Sequence, residues 1–390
     1  MSKKLIAFLL ALPASAEIIY ATSYNDHTVT SLKLDGSSLT RVSQNLDCGS
    51  EPTWLTLDKS KSVLYCLNEG WGGSSSITSY RTSASGTLET LDVLSVLKSP
   101  VASTLFGANN TKLAVAHYDT SAFSTFSVAD PTNLSLLDQQ TYQLTAPGTV
   151  PERQDAPHLH DAILDPSKKF ILVPDLGADL IRVFQVDDGA AAATAVTSIP
   201  TIAGSGPRHV AFAKAGRKTF LYSFNELSNT ISGYTVTYKR DAAPEFTRIF
   251  NIPSGGPGTT VPAGTKAAEI EVSPDQRFVI VSSRGENSLE IQNFDTDGPS
   301  TIKSDPLHTF AINQQTGALT HVQTAPAGGR NPRGFSLNKA GTKLVSALQD
   351  DNRVVVYERD VRTGKLGKVL AYASVGSGPN NGPNYALFDE

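Results

Sequence analysis

One short unit recurs along this sequence, and its period constrains the fold more than any other feature. Each copy starts with a turn, continues as an apolar strand, and is followed by a polar turn and a second apolar strand. Successive starting residues lie 48, 57, 50, 60, 65 and 51 residues apart in the chain. A period near 50 with several strands in each copy is typical of propeller blades. The starting residues, called anchors below, are Pro52, Pro100, Pro157, Pro207, Ala267, Pro332 and Pro383.

The two ends of the chain complement each other. Glu17–Ser23 and Thr28–Leu34 form a predicted hairpin without the first strand of the unit, and only one strand, Asn384–Asp389, follows the last anchor. Pairing the C-terminal strand with the N-terminal hairpin would complete one blade and remove a free sheet edge. The sequence therefore predicts an all-β, seven-bladed β-propeller closed by pairing its N- and C-terminal strands in one blade. The alternatives are a pair of β-sandwiches or an irregular all-β protein.

The fourth copy carries two histidines close to its first strand. We predict that this strand runs from His160 to Asp165, with His158 just before it. The second strand, Phe170–Pro174, is a short apolar run bounded by turn residues, as in a strand buried on both faces. The polar residues at the strand starts differ from copy to copy, which is where we expect the chemistry to lie.

The N-terminus resembles a secretion signal. Lys3 and Lys4 precede the apolar run Leu5–Leu12, which is followed by Ala14-Ser15-Ala16. This order of basic, apolar and small residues predicts a signal peptide over residues 1–16 and a secreted mature propeller over 17–390. A buried first strand or helix is the alternative.

Secretion permits a disulfide between Cys48 and Cys66, although two separate buried thiols would also fit the sequence. No later apolar run approaches the roughly 20 residues that span a bilayer. The net charge is −4 and no basic stripe is present, which argues against a nucleic-acid partner. We expect a monomer with a small-molecule substrate and no membrane partner.

Six motifs follow one another along the sequence: Pro157-His158-Leu159-His160, Val173–Asp179, Gly206-Pro207-Arg208-His209, Phe224-Asn225-Glu226-Leu227, Ser283–Ser288 and Asn331-Pro332-Arg333-Gly334-Phe335. In this order they resemble the seven-bladed lactonase family. That family includes the propeller-type 6-phosphogluconolactonase and the fungal 3-carboxy-cis,cis-muconate lactonising enzyme. The resemblance implies a site without cofactor or metal at one mouth of the central channel. By motif, the functional residues of the muconate enzymes fall on His160 (or His158), Arg208, Glu226 and Arg284.

These residue types suit the chemistry of a lactone. His160 or Glu226 could direct a water molecule at the carbonyl, and Arg208 and Arg284 could bind the oxyanion or a substrate carboxylate. A zinc pair at His158 and His160 is not favoured, because no third ligand stands at a suitable spacing. The further candidates for substrate binding are His158, His209, Arg333, Asp161 and His117.

The predicted function is hydrolysis of a sugar-derived (aldono-) or carboxylated lactone by a secreted enzyme. A muconate-type lactonising cycloisomerase is the first alternative, because the same residues could hold carboxylates and protonate a carbon. A propeller that binds a carbohydrate or a protein without catalysis is the second, since fold does not imply function.

Overall fold

The second strand of each sheet is buried along almost its whole length, whereas the outer strands alternate. The computed structural model describes residues 16–190, 192–240, 242–294 and 298–390. Strand Val63–Asn68 is buried at every position, and strand Leu88–Val96 of the same sheet alternates between partly buried and exposed residues. This difference is expected when inner strands pack between neighbouring sheets and outer strands face water. The predicted signal peptide lies outside the described residues, except for Ala16.

Within the described residues, thirty strands form seven four-stranded antiparallel sheets and one extra two-stranded sheet. The sheets follow one another along the chain as the blades of a propeller. Blades I to III contain β1 (Glu17–Ser23), β2 (Thr28–Asp35), β3 (Ser38–Asn45); β4 (Pro52–Asp58), β5 (Val63–Asn68), β6 (Ser75–Thr82), β7 (Leu88–Val96); β8 (Pro100–Phe106), β9 (Lys112–His117), β10 (Ala122–Ser127) and β11 (Ser135–Thr141), with a 3₁₀ turn at Ala108–Asn110.

The later blades follow the same order. Blades IV to VII contain β12 (Ile163–Leu164), β13 (Phe170–Asp175), β14 (Leu180–Gln185), β15 (Thr194–Pro200); β16 (Pro207–Ala215), β17 (Lys218–Asn225), β18 (Thr230–Thr237), β19 (Glu245–Pro253); β20 (Lys266–Val272), β21 (Phe278–Arg284), β22 (Leu289–Gln292), β23 (Thr301–Ser304), β24 (Pro306–Ile312), β25 (Leu319–Pro326); β26 (Pro332–Leu337), β27 (Lys343–Leu348), β28 (Arg353–Arg359) and β29 (Leu366–Ser374).

The chain ends close the ring as predicted. The last strand, β30 (Pro383–Phe388), pairs antiparallel with β1 and is the innermost strand of blade I. Ile19 lies opposite Phe388, and Ala21 lies opposite Ala386. Seven apolar clusters of described residues fill the seven junctions between neighbouring blades. The prediction of an all-β, seven-bladed propeller is confirmed.

Two blades depart from the prediction. In blade IV the first strand is only Ile163–Leu164, preceded by an isolated bridge between Leu159 and Asp175. Pro174 on the neighbouring strand has no N–H to continue the ladder, so the backbone from His158 to Ala162 is irregular. In blade VI the predicted third strand is instead β22 of an inserted hairpin, and β24 pairs with β21. This insertion explains the longest repeat spacing.

Cys48 and Cys66 form a disulfide, with their Cα atoms 5.9 Å apart. Cys66 lies on β5, and Cys48 lies in the turn between β3 and β4 rather than on a neighbouring strand. The bond therefore joins blade II to the segment that enters it. In the described part of the chain no helix is long and apolar enough to cross a membrane.

Candidate active site

A cavity of about 310 Å³ opens where the inner strands of several blades begin and their second strands end. In a propeller these strand ends surround one mouth of the central channel. A narrower pocket continues from it and shares Val101, His160 and Arg333. The cavity is lined by Glu69, Trp71, Val101, Tyr118, Arg153, His160, Glu226, Lys266, Arg284 and Arg333, and the pocket adds Thr53, Trp54, Arg208, His209, Glu269, Asn384 and Tyr385.

The repeat register explains which residues reach the narrow pocket. In five blades the residue directly after the proline anchor lines it: Thr53, Val101, Arg208, Arg333 and Asn384. Successive side chains of a strand point to opposite faces, so the same repeat position in each blade faces the same way. Blade IV is the exception, because its irregular backbone brings His160, three residues after the anchor, to the cavity.

Glu226 is bound by arginines from three different segments of the described chain. Its Oε1 lies 2.7 Å from Arg153 Nη2, and its Oε2 lies 2.8 Å from Arg284 Nη2 and 3.1 Å from Arg208 Nε. Burial alone would raise the pKa of Glu226, but the guanidiniums of Arg284, Arg208 and Arg153 outweigh it and hold the pKa well below its usual range. Glu226 is therefore an anion that holds cations in place.

Two aspartates, the half-buried Asp179 and the buried Asp305, fix the loops that carry arginines into the site. Asp179 accepts the N–H groups of Gly204 at 2.6 Å and Gly206 at 2.8 Å, just before Arg208. Gly206 has φ +59°, and a Cβ there would stand 2.4 Å from Leu227 Cγ, so this turn requires glycine.

Asp305 performs the same task for the next pair of arginines. It accepts the N–H groups of Gly285 at 3.0 Å and Asn331 at 2.7 Å. Gly285 directly follows Arg284, and Asn331 lies two residues before Arg333. Hydrogen bonds to an ionised acceptor are strong, so both arginine-bearing loops are tightly positioned.

Arg333 differs from the other arginines of the site because no described residue hydrogen-bonds or ion-pairs with its guanidinium. Its guanidinium lies 6.0 Å from the centroid of the Tyr24 ring and lines both the cavity and the pocket. Lys266 at the rim likewise has no polar partner among the described side chains. These two cations are available to a ligand, whereas Arg208 and Arg284 are held by Glu226.

His160 lies at the junction of the cavity and the pocket. Its Nδ1 is 3.3 Å from His209 Nε2, and its ring meets Tyr118 edge-on at 5.5 Å between centroids. Burial lowers the pKa of His160 well below its usual value, and the nearby Arg208, His209 and Arg333 lower it further. The imidazole is therefore neutral at pH 7, with a lone pair for accepting a proton.

Three sequence candidates, His158, Asp161 and His117, line neither the cavity nor the narrow pocket. His158 stacks on Tyr118 at 4.3 Å between centroids, and its Nε2 is 3.1 Å from Asp155 Oδ1. Asp161 accepts two backbone N–H groups, from Ala162 at 2.8 Å and Val210 at 3.1 Å. His117 is buried, and its Nδ1 contacts the carbonyl oxygens of Leu97 and Lys98.

Of the predicted residues, the structure brings together His160, Arg208, His209, Glu226, Arg284 and Arg333. Sequence reasoning missed five polar or aromatic residues of the cavity and five of the narrow pocket. Glu69 was recoverable, because Asn68-Glu69 ends β5 as Asn225-Glu226 ends β17. Arg153 was not, because it lies in a long loop with no counterpart in the other repeats. The missed residues are Glu69, Trp71, Tyr118, Arg153 and Lys266 in the cavity, and Thr53, Trp54, Glu269, Asn384 and Tyr385 in the pocket.

Replacing Glu226 is expected to destabilise the fold. In Glu226→Gln three guanidiniums lose their shared anion, and breaking a buried ion pair in this way costs about 3 kcal/mol or more. Denaturant unfolding measures the change. Glu69→Gln is the matched control at the same repeat position. Among the described residues, the Glu69 carboxylate accepts a hydrogen bond only from the Tyr24 hydroxyl, at 2.7 Å, so this variant should lose about 1 kcal/mol. Equal losses in the two variants would contradict the role given to Glu226.

His117 makes stability depend on pH. Burial lowers the pKa of His117 from 6.5 to about 4. Between these values the unfolded chain binds the proton and the folded chain does not, so stability falls as the pH drops from 6.5 to 4 and levels off below. The expected loss is roughly 3 kcal/mol. Unfolding of His117→Gln should depend less on pH in this window, and an unchanged slope would contradict the assignment.

Among the described residues, no group of three or more His, Cys, Asp or Glu side chains is arranged to hold a metal ion. The charged side chains that line the cavity are instead mostly cationic. Arg153, Lys266, Arg284 and Arg333 line it against two acids, Glu69 and Glu226, leaving an excess of positive charge for an anionic ligand.

Comparisons with known proteins agree with this architecture. The family model for the seven-bladed β-propeller lactonases matches residues 18–379. The probable 6-phosphogluconolactonase of Arthroderma benhamiae is 29% identical over 355 residues, which are 90% of this chain and 84% of that protein. The 6-phosphogluconolactonase of Formosa agariphila is 30% identical over 260 residues, 66% of each chain.

Among solved structures, the periplasmic gluconolactonase of Pseudomonas aeruginosa superposes with a TM-score of 0.78 and 24% identity, covering 96% of this chain and 99% of that one. This likeness shows the fold. The family match extends over nearly all of the seven blades and confirms the resemblance read from the motifs. The chain belongs to the seven-bladed β-propeller lactonase family.

Proposed function

We propose that this protein is secreted and hydrolyses an anionic, sugar-derived lactone in the cavity, with His160 as general base. The observation that carries the proposal is the juxtaposition, in one cavity wall, of a neutral imidazole and an unpaired guanidinium, His160 and Arg333. Ester hydrolysis needs both of these groups: a base that takes a proton from water and a cation where negative charge develops.

The chemistry can be written with the side chains present. Water attacks the lactone carbonyl carbon while its proton passes to His160 Nε2, and Arg333 stabilises the oxyanion. The bond between the carbonyl carbon and the ring oxygen then breaks, and His160 returns its proton to the leaving oxygen. The products are a carboxylic acid and a hydroxyl group on the same sugar chain.

His160 is a better base than Glu226, the other sequence candidate. Both carboxylate oxygens of Glu226 are occupied by guanidiniums, and its pKa is held below the usual range. A carboxylate in that state has little tendency to accept a proton from water. The part of Glu226 is to hold Arg153, Arg208 and Arg284 around the cavity.

Two features support an anionic sugar as the substrate. Lys266 at the rim would bind a phosphate or carboxylate remote from the lactone carbonyl, and the rings of Trp71 and Tyr118 offer apolar faces to a sugar. The relatives compared above are named 6-phosphogluconolactonases. We therefore propose an aldonolactone that carries a phosphate or a carboxylate.

Secretion is proposed from the N-terminal leader pattern at residues 1–16. The Cys48–Cys66 disulfide supports it, because such bonds persist in oxidising compartments and are rare in the cytosol. Cleavage after Ala16 is tested by sequencing the N-terminus of the protein recovered from the medium of the native host. A mature chain that starts at Glu17 is expected, and an intact Met1 in the cell extract would contradict secretion.

The function is tested with a panel of phosphorylated, carboxylated and neutral aldonolactones, followed by proton release at constant pH. We expect acid release that is fastest with the anionic lactones. Turnover of carboxymuconates alone would identify a cycloisomerase instead. Saturable sugar binding without turnover of any panel member would identify a binding propeller.

A further inference from the structure

We propose that Glu269 and His209 are positioning residues that hold His160 in the tautomer required of a general base; this inference rests on the proposed function. The three side chains form a continuous line from the bottom of the narrow pocket to the cavity. His209 Nδ1 lies 2.8 Å from Glu269 Oε1, and His209 Nε2 lies 3.3 Å from His160 Nδ1. All three residues are at least 94% buried.

The order of donors and acceptors follows from chemistry. The carboxylate of Glu269 only accepts hydrogen bonds, so His209 donates from Nδ1–H. A neutral His209 then has its lone pair on Nε2, and His160 must donate to it from Nδ1–H. The lone pair of His160 is thereby assigned to Nε2, which no described residue hydrogen-bonds and which belongs to a ring lining the cavity.

The repeat register explains why His209 and Glu269 lie next to each other and next to His160. His209 on β16 and Glu269 on β20 are both the second residue after their anchors, Pro207 and Ala267, and both line the narrow pocket. The register thus brings a histidine and a glutamate from neighbouring blades together beneath His160. The Trp54 indole and the His209 ring pack edge-to-face, at 5.6 Å between centroids.

The negative charge of Glu269 can stabilise the imidazolium form of His160, which the surrounding cations oppose. Arg208 and Arg333 oppose a positive charge on the imidazole, and Tyr118 contacts its edge without a charge. Asp161 gives its two oxygens to backbone N–H groups. Glu226 is shared by three arginines. Glu269 is therefore the anion connected to His160 by hydrogen bonds, and through His209 it stabilises the imidazolium that forms when water is deprotonated.

No proton leaves the two positioning residues in this scheme. The proton from water stays on His160 Nε2 until the ring oxygen of the lactone takes it. His160 keeps its Nδ1 proton, and so does His209. The arrangement resembles a triad in which the carboxylate orients a histidine, with a second histidine in place of the nucleophile.

The tautomers can be measured without any substrate. In wild-type protein with ¹⁵N-labelled histidine, long-range ¹H–¹⁵N correlation spectra at pH 7 distinguish Nδ1–H from Nε2–H imidazoles. We expect both His160 and His209 in the Nδ1–H form, assigned by the loss of signals in His160→Gln and His209→Gln. An Nε2–H form of either residue would overturn the proposal, whatever the enzyme hydrolyses.

Kinetics provide the second test. Glu269→Gln should lower kcat about 100-fold with KM changed less than about threefold, because general-base catalysis is worth at least that much. It should also move the acidic limb of the kcat/KM profile to lower pH, because the imidazolium loses its stabilising anion. Glu269→Asp should restore part of kcat. A merely structural role would lower the melting temperature without moving the limb.

Glu271→Gln is the matched control, two residues along the same strand. Glu271 Oε2 accepts the Leu337 N–H at 3.0 Å, and its carboxyl group neither hydrogen-bonds nor ion-pairs with any histidine in the described part of the chain. Burial, with the nearby Glu269, raises the pKa of Glu271 to about 8, so glutamine resembles its protonated state. Its kinetics should stay close to wild type. Should Glu269→Gln fail to fold, His209→Gln receives the same measurement.

The proposal would be overturned if Glu269→Gln or His209→Gln kept the wild-type kcat and the acidic limb of its kcat/KM profile stayed at the wild-type pH. If the wild-type protein hydrolyses no lactone, the proposed function fails, and the tautomer spectra still decide the inference on their own.

Discussion

His160→Gln is expected to lower kcat about 1,000-fold while KM changes little. Glutamine fills similar space and can still hydrogen-bond, but it has no lone pair basic enough to take a proton from water. General acid–base catalysis contributes about 10²–10⁴ in rate, and this histidine would act as base and then as acid. Initial rates of proton release over a range of lactone concentrations separate kcat from KM.

His158→Gln is the natural comparison, because the sequence offers His158 as the alternative to His160. His158 stacks on Tyr118 outside the cavity and hydrogen-bonds Asp155. The His158→Gln variant should retain most of the wild-type activity. If His158→Gln is the inactive variant and His160→Gln the active one, the assignment of the base is wrong.

Arg333→Ala is expected to lower kcat/KM about 100- to 1,000-fold with every lactone, the range observed when one oxyanion donor is removed. The unfolding temperature should change little, because no described residue pairs with the guanidinium. Arg333→Lys should restore only part of the activity, since an ammonium lacks the planar fork of donors. Steady-state kinetics and thermal unfolding of the same preparations provide both readouts.

Two other cations serve as controls for this result. Lys266→Ala should raise KM for phosphorylated or carboxylated lactones and leave neutral lactones nearly unaffected, because Lys266 lies at the rim. Arg208→Ala should lose stability as well as activity, because Arg208 also donates to the Ala268 carbonyl at 2.6 Å. Full activity of Arg333→Ala with a neutral lactone would remove Arg333 from oxyanion stabilisation.

The sequence predicted the ring, and it did so because the repeat carries geometric information. Proline anchors recur at the start of the inner strands, so the residue after the anchor faces the narrow pocket in five of the seven blades. This is why Arg208 and Arg333, in blades V and VII, are found together although 125 residues separate them in the numbering. It is also why Glu226 and Arg284, each at the end of a second strand, meet.

The parts that the sequence did not predict lie where the repeat is broken. Pro174 interrupts the ladder of blade IV, so the strand expected from His160 to Asp165 shrinks to Ile163–Leu164. Arg153 comes from the long loop before that blade, where a buried Gln154 donates to the Leu176 carbonyl at 3.0 Å. No periodicity describes such a loop, and only tertiary contacts place its arginine beside Glu226.

The pairing of charges is the other feature that the sequence did not predict. The same arginine can bind a substrate or a protein carboxylate, and its neighbours in space decide between these roles. Glu226 takes Arg208 and Arg284, the two arginines expected at the substrate, and leaves Arg333 unpaired. Sequence position alone gives Arg208 and Arg333 equal standing, because both follow an anchor proline.

The most direct test of the account is hydrolysis of a phosphorylated aldonolactone in ¹⁸O-labelled water, with wild type, His160→Gln and buffer run side by side. Mass spectrometry reads both the rate and the position of the label. We predict that wild type far exceeds buffer and places one ¹⁸O in the new carboxylate, whereas His160→Gln stays close to the spontaneous rate. Equal rates in all three samples, or label in the hydroxyl group, would contradict hydrolysis by a His160-activated water.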